Sequence, residues 1–233
     1  MLSLILAVTV LGAVSTRFVD RLVVRPLPSD SPGQPFLADR PRTRLALVSI
    51  CLISLFIAVG IRLDSLHSLA ALPAYLYFVA IGVALSFIDI ASHRLPNAIV
   101  LPSYPVLAVL LTAATIWHHD WSALLRAAIG GAILFLFYLV LALVHPAGMG
   151  LGDVKLSALL GALLAYISWS ALIVGALAGF LLAALVGIAM IASRRGGLKT
   201  AIPFGPFMIV GTMLGILVGA QIAHSYLSGV GST

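Results

Sequence analysis

The stretch GMGLGDVKLSALLGALL, residues 148–164, places an aspartate and a lysine at the start of an apolar run. Apolar runs of this kind recur along the chain and decide its fold. Of the 233 residues, 62% are hydrophobic and 9% are charged, and the mean hydropathy is +1.19. Water-soluble domains carry about 25% charged residues. The composition therefore predicts an integral membrane protein.

The apolar runs are long enough to cross a bilayer. A span needs about 20 mostly apolar residues, and it must be helical because lipid offers the backbone no hydrogen-bond partners. Short polar breaks separate the stretches, of which the sixth is the shortest. We place them at 1–16, 45–61, 70–88, 98–117, 122–143, 154–168, 170–192 and 203–227. The sequence thus predicts an all-α polytopic membrane protein with about eight transmembrane helices.

The basic residues predict the orientation of these helices. Arginines follow the first apolar run instead of preceding it, which argues against a signal peptide and places the N-terminus outside. From that start, all 13 Lys and Arg residues except Arg62 and Arg126 fall in breaks predicted to be cytoplasmic, as the positive-inside rule requires. The C-terminus is then also outside. Topology and contact with the lipid bilayer explain the net charge of +6, so nucleic acid is not expected as a partner.

Two of the seven acidic residues, all of which are Asp, are candidates for function. Asp89 and Asp153 each lie at the predicted cytoplasmic edge of an apolar helix, where an ionisable group is costly and is by default functional. The alternative is that each carboxylate only reaches the headgroups beside Arg94 or Lys155. The remaining acids are interpreted as solvated charges: Asp20, Asp30, Asp39, Asp64 and Asp120.

The surroundings of the two aspartates favour function. Asp89 is followed by a short polar segment and Pro96, which separates one helix from the next. The second aspartate follows three alternating glycines, Gly148, Gly150 and Gly152. Such glycines leave the backbone uncovered and tolerate unusual dihedrals, so an extended peptide could approach the carboxylate; an ordinary tight loop is the alternative.

Two carboxylates on different helices at one membrane depth are what an aspartic peptidase requires. When the pair lies close together, repulsion lets it hold a single proton. The ionised member then acts as general base on a water, and the protonated member donates to the scissile carbonyl oxygen. Asp89 and Asp153 are far apart in sequence, so their proximity is a prediction.

Three segments of the chain resemble one family. The stretches FIDIASHRLPN (87–97), GMGLGDVKLSALLGALL (148–164) and AIPFGPFMIVGTMLG (201–215) are similar to the motifs of the type IV prepilin peptidases, GxGD-type bacterial membrane aspartic proteases of family A24. The resemblance covers about residues 70–220. It implies that Asp89 and Asp153 are the catalytic pair and that Gly150 and Gly152 are the motif's glycines.

The resemblance also implies the substrates and the place of action. The implied substrates are prepilin or pseudopilin-like proteins. They are cut at the cytoplasmic edge of the bacterial inner membrane, after a glycine that ends the leader. No cofactor and no metal are expected. We expect five residues to bind substrate or shape the loop: Gly148, Gly150, Gly152, Lys155 and Pro96. Lys155 is equally well interpreted as an anchor at the cytoplasmic edge.

The chain departs from the family's longer members at one loop. Those members carry paired CxxC motifs that bind zinc and accompany N-methylation, whereas the Arg- and Pro-rich loop 17–44 contains no cysteine and Cys51 lies inside the second span. N-methyltransferase activity is therefore in doubt. The predicted organisation is a two-helix region (1–69), a prepilin-peptidase-like membrane domain (70–227) and a tail (228–233).

Other interpretations of the same residues stay open at this point. An aspartate pair in a membrane can bind an ion in a proton- or ion-coupled transporter, or serve a non-catalytic protein of pilus assembly. A presenilin-like protease would cut within the bilayer. The histidines of WHHDW (117–121) do not share a helix face, so a metal site is not expected there. Small residues spaced by four predict close helix packing, within one chain or in a homodimer: Gly175, Gly179, Gly211, Gly215 and Gly219.

Overall fold

The computed structural model describes residues 1–24, 39–144, 149–193 and 203–230. In that part of the chain the secondary structure is helical, with no strand. The helices are α1 (Leu2–Val24), α2 (Pro41–Ser65), α3 (Leu72–Ser92), α4 (Asn97–His118), α5 (Trp121–Val144), α6 (Leu151–Ile167), α7 (Trp169–Ala192) and α8 (Gly205–Val230), and a short 3-10 helix, Leu69–Ala71, precedes α3. The predicted all-α fold is confirmed.

Six of the described helices, α1 to α5 and α7, are long and apolar enough to cross a membrane. Helix α6 has 17 residues, as the short sixth run predicted, and α8 contributes the shorter apolar segment Gly205–Gly219. The chain is therefore a polytopic membrane protein. Which end of each helix faces the cytoplasm stays a prediction.

The break between α3 and α4 lies where the sequence placed it. His93 ends α3 in the left-handed region (φ 51°), and its N–H donates to the carbonyl oxygen of Asp89. Pro96 is the N-cap of α4, and its carbonyl oxygen accepts from the N–H groups of Ile99 and Val100. A proline suits this position because it cannot continue the helix before it.

The chain divides into two compact units, residues 1–119 and 120–233. In the first unit α1 and α2 form an antiparallel pair, in which a β-carbon on Gly12 would meet Ile53 and one on Gly60 would meet Val8. Helix α3 packs against both, and α4 packs against α3. Of the candidate spans α3 is the most buried, at 67% of its apolar window against 33% or less for the other five.

An ion pair joins α1 and α2. The Arg44 Nε donates to Asp20 Oδ1 at 2.7 Å, and the side chains are 7% and 20% exposed. The interpretation of Asp20 as a solvated charge is therefore wrong. Sequence patterning missed the pair because its two members are 24 residues apart and lie on different helices, so no helical spacing relates them.

The second unit consists of two helix hairpins, α5 with α6 and α7 with α8. In both hairpins the two helices approach closely at small residues. A β-carbon on Gly161 would meet the Gly130 backbone, and one on Gly211 would meet the backbone of Gly175 and Gly179. The predicted use of the α7 and α8 glycines in close packing is confirmed within one chain. A homodimer stays a prediction.

Arg126 on α5 caps the end of α6. Its Nε donates to the carbonyl oxygen of Ala165 at 2.5 Å, and its Nη2 donates to those of Tyr166 and Ile167 at 2.7 and 3.2 Å. The last carbonyl groups of a helix have no partner within it, so a guanidinium fork satisfies three of them at once. This contact fixes the register of α6, and therefore the level of Asp153, against α5.

Candidate active site

Asp89 lies in the last turn of α3, and it is buried with 4% exposed. Residues 76–88, which precede it, are almost all apolar and hold the helix in the core. A carboxylate at a buried position costs free energy that helix formation does not require. A catalytic role for Asp89 stays a prediction.

Asp153 lies in the first turn of α6, in a different environment. Its Oδ2 accepts a hydrogen bond from the N–H of Gly150 at 3.3 Å, and Gly150 is the N-cap of the helix. Because glycine has no side chain, this bond is the one half of a capping box that can form. The N-terminal end of a helix carries partial positive charge, so the position favours the ionised carboxylate.

The described glycines before Asp153 have ordinary backbone conformations. Gly150 is extended (φ −76°, ψ 146°) and Gly152 is helical, and no described glycine has a positive φ. Gly148 lies outside the described residues. Gly150 is exposed, and a β-carbon on it would lie 3.4 Å from Asp153 Oδ2, an ordinary contact distance.

The two remaining candidates flank the aspartates. Pro96 is the partly buried N-cap of α4, three residues beyond the end cap of α3. Lys155 is partly buried on α6, and an offset of two residues places it about 200° round the helix from Asp153. Each residue is therefore close in sequence to one carboxylate.

The two aspartates belong to different units. Asp89 lies in residues 1–119 and Asp153 in residues 120–233, and each unit is described by itself. Within its unit each carboxylate lies at a helix end, next to the segment that connects two helices. Their pairing, on which the predicted chemistry depends, stays a prediction.

An aromatic cluster beside Asp153 was not foreseen from the sequence. Tyr138 of α5, Phe180 of α7 and Phe204, just before α8, have ring centroids 5.4–6.1 Å apart, and Tyr138 is 2% exposed. The Asp153 carboxylate interacts electrostatically with the Tyr138 hydroxyl. Only the register between α5 and α6 brings the two together. The one signal in the sequence is a lone tyrosine in the apolar run of α5.

The WHHDW segment forms the turn between α4 and α5. His119 ends α4 in the left-handed region (φ 55°). Asp120 accepts hydrogen bonds from the Ser122 hydroxyl and the Ala123 N–H, which lower the pKa of its carboxyl group. The acid therefore has a local role at the start of α5. Among the described residues, no three His, Cys, Asp or Glu side chains are grouped as a metal site would need.

Comparison with known proteins identifies similar sequences. The model of a family described as the type IV leader peptidase family matches residues 76–189, a range that contains both aspartates. A protein of Bacillus subtilis named prepilin leader peptidase/N-methyltransferase is 32% identical over 183 residues, which cover 78% of this chain and 67% of the relative. A protein of the same name from Pseudomonas putida is 35% identical over 150 residues, 64% of this chain and 51% of the relative.

The similarity does not extend over the whole of most relatives. The chain spans about half the length of the Pseudomonas putida protein and of the equally named protein of Pseudomonas aeruginosa, which is 32% identical over 155 residues. No solved structure matches the chain.

Proposed function

Because the chain belongs to the type IV leader peptidase family, we propose that it is a membrane aspartic endopeptidase that removes the leader peptides of prepilin or pseudopilin-like proteins. The observation that carries the proposal is a pair of aspartates at the ends of two apolar helices, both inside the segment that the family model matches. The relatives named as prepilin leader peptidases support the choice of substrate.

The reaction follows from the chemistry of a carboxylate pair. The ionised aspartate removes a proton from a water while the water oxygen bonds to the scissile carbonyl carbon, and the protonated aspartate gives its proton to the carbonyl oxygen. The tetrahedral intermediate then breaks its C–N bond, and the leaving nitrogen receives the proton that the base had taken. As the C=O bond reforms, one hydroxyl group of the intermediate returns a proton to the other aspartate. The products are a free carboxyl group on the leader and a new amino terminus on the pilin. No acyl-enzyme is formed.

The place of action is the cytoplasmic edge of the bacterial inner membrane. The support is the positive-inside rule, which puts the ends of α3 and α6 that carry the aspartates on the side of Arg94 and Lys155. A cut there falls between a basic leader and an apolar helix that stays in the bilayer. The peptide bond has to be unwound before cleavage because a helical peptide bond is shielded by its own turn.

The proposal covers cleavage and does not extend to N-methylation. The relatives are named for both activities. The α1–α2 loop here contains no cysteine, and Cys51 lies in the middle of α2, so the paired cysteines that accompany methylation in longer members have no equivalent in this loop.

The test is leader cleavage in membranes. A reporter with a basic leader, a glycine and an apolar helix is co-expressed with the wild-type chain, with Asp89→Asn and with Asp153→Asn, and its product is analysed by mass spectrometry. We expect both variants to insert normally and to lose at least about 10³-fold in rate, because Asn cannot cycle a proton. Asp64→Asn, the same change on the predicted outer side, is the matched control and should cleave normally.

The outcomes separate the alternatives. Cleavage that survives in either inserted Asp→Asn variant would contradict the aspartic mechanism and favour the transporter or assembly interpretations. The same spectra read the mass of the new pilin terminus. A terminus methylated only when this chain is present would contradict the restriction to cleavage.

A further inference from the structure

Several contacts define the register of α5 against α6, and this register places a tyrosine of α5 at the level of the first turn of α6. The Ser157 hydroxyl donates to the carbonyl oxygen of Leu134 at 3.3 Å, and a β-carbon on Gly161 would meet Leu134 and the Gly130 backbone. The helices are antiparallel, so one turn onward from Leu134 on α5 corresponds to one turn back from Ser157 on α6. Tyr138 is therefore at the level of Asp153, in agreement with the electrostatic interaction between the two side chains.

The ring of Tyr138 is fixed and its hydroxyl is buried. Phe137 and Phe180 contact the ring at centroid distances of 5.7 and 5.4 Å, and Phe204 contacts it at 6.1 Å. Within the part of the chain that the structure describes, the hydroxyl has no hydrogen-bond partner. A buried hydroxyl without a partner is unfavourable, and such groups in native proteins call for an explanation. The nearby acceptor that the register supplies is the Asp153 carboxylate.

The helix ends give the two aspartates different electrostatic surroundings. Asp153 is in the first turn of α6 and accepts from the Gly150 N–H, so the helix dipole favours its ionised form. Asp89 is buried in the last turn of α3, at the end of the helix that carries partial negative charge. A carboxylate has several acceptor positions, so Asp153 can accept a hydrogen bond from a further donor. A tyrosine hydroxyl supplies one without introducing a charge.

We propose that Tyr138 is a positioning residue for Asp153: its hydroxyl donates a hydrogen bond to the ionised carboxylate in the assembled active site and holds it as the general base. The proposal rests on the proposed function and deepens it. Catalytic hydrogen bonds are often long in a substrate-free protein and shorten when substrate binds, which is why the hydroxyl is already buried but not yet bonded. Phe180 and Phe204 hold the ring, which gives the segment before α8 a role at the site.

The charged and titratable groups around Asp153 are few among the described residues. On α5 they are Tyr138 and Arg126, and the latter is engaged at the far end of α6. The described side chains of α7 and α8 contribute none, and on α6 itself only Lys155 is charged. A change in the acid limb of the pH profile on removal of the hydroxyl is therefore attributable to Asp153 or to its predicted partner Asp89.

The test compares Tyr138→Phe with wild type in native membranes, with the leader reporter as substrate. Phenylalanine keeps the ring contacts and removes only the hydroxyl. We expect kcat to fall about 10- to 100-fold with little change in KM. Without its donor the base is protonated more easily, so the acid limb of kcat/KM should move to higher pH by about one unit. The matched control is Tyr77→Phe, which removes a hydroxyl bonded to Ser103 between α3 and α4 and should leave the profile in place.

Three results would overturn the inference. They are an unchanged rate, a lower rate with no shift of the acid limb, and an equal shift in Tyr77→Phe. Failure of the inference is distinguishable from failure of the proposed function through Asp153→Asn. If that variant is inactive while Tyr138→Phe behaves as wild type, the peptidase proposal stands and only the role of Tyr138 is wrong.

Discussion

At the scale of single residues, the two aspartates are stabilised in opposite ways. Asp153 gains from a helix N-terminus and from the Gly150 N–H, while Asp89 is buried at the end of α3, where the helix offers it no such help. In the proposed mechanism, this difference would separate the acid from the base before substrate arrives. The proposed chemistry therefore depends on which end of its helix each residue occupies.

Gly150 offers a test of how substrate reaches Asp153. A β-carbon at this position would be at an ordinary distance from the carboxylate, so Gly150→Ala should fold, with a cost of no more than about 1 kcal/mol in the free energy of unfolding. We expect KM for the leader reporter to rise several-fold with kcat nearly unchanged, because the added methyl group covers an exposed, extended backbone. Steady-state cleavage and thermal unfolding in detergent measure the two effects.

The matched control for Gly150 is a glycine of helix α2. Gly60→Ala adds the same methyl group on α2, where it would meet only the Val8 side chain at 3.3 Å, and it should leave KM as it is. An unchanged KM in Gly150→Ala would contradict a role in substrate approach and leave this glycine with a part in the loop alone.

Residue type predicted the candidates, but not their conformations. An isolated carboxylate in an apolar run is visible in the sequence, so Asp89 and Asp153 were identified directly. The backbone at Gly150 could not be predicted, because glycine allows left-handed dihedrals without requiring them. Tyr138 was missed because an aromatic residue in an apolar span is normally part of the core.

At the scale of helices, hydropathy predicts where each element lies but not what it touches. The predicted spans agree with the helices to within several residues, since length and apolarity decide both. The register of α5 on α6 depends on Arg126 reaching the carbonyl groups of Ala165 to Ile167 and on the approach of Gly130 to Gly161. Neither contact has a periodic signal in a single sequence.

The packing of α7 on α8 is testable at Gly211. A β-carbon there would meet the backbone nitrogen of Gly179 and lie 2.6 Å from the Gly175 carbonyl oxygen, and backbone cannot move aside as a side chain can. Gly211→Ala should therefore lower the free energy of unfolding by about 1–3 kcal/mol. Thermal unfolding in detergent reads the change, and cleavage at low temperature should persist.

The control for Gly211 is its neighbour in sequence. Val210 is 48% exposed, and Val210→Leu enlarges a side chain that the hairpin does not cover. It should unfold at the wild-type temperature. Equal stability of the Gly211 and Val210 variants would mean that the helices separate at little cost, contrary to the close packing described.

At the scale of the whole molecule, the peptidase proposal requires that two units cooperate. One unit carries Asp89 and the other Asp153, and each forms its own compact set of helices. The proposed substrate enters as a helix from the bilayer and has to be unwound. A site with one carboxylate on each unit would suit it, because the two carboxylates need to come together only when the extended segment lies between them. The sequence predicted both halves, but the distance between them depends on how two membrane-embedded bodies meet, which no local pattern encodes.

The proximity of Asp89 and Asp153 can be tested by cysteine cross-linking. In a Cys51→Ala background, we expect Asp89→Cys combined with Asp153→Cys to form an intramolecular disulfide, or to be bridged by a short bifunctional thiol reagent. A disulfide needs Cα atoms within about 7 Å. Two aspartates whose carboxyl groups share a proton have Cα atoms close to this distance. Mass spectrometry of the linked peptides, from protein that migrates as a monomer, identifies the product. The control pair, Asp64→Cys with Asp153→Cys, joins predicted opposite sides of the membrane and should not react. If the first pair never reacts while its thiols remain open to labelling, the two carboxylates do not share a proton, and the chemistry proposed for this chain would lack its second half.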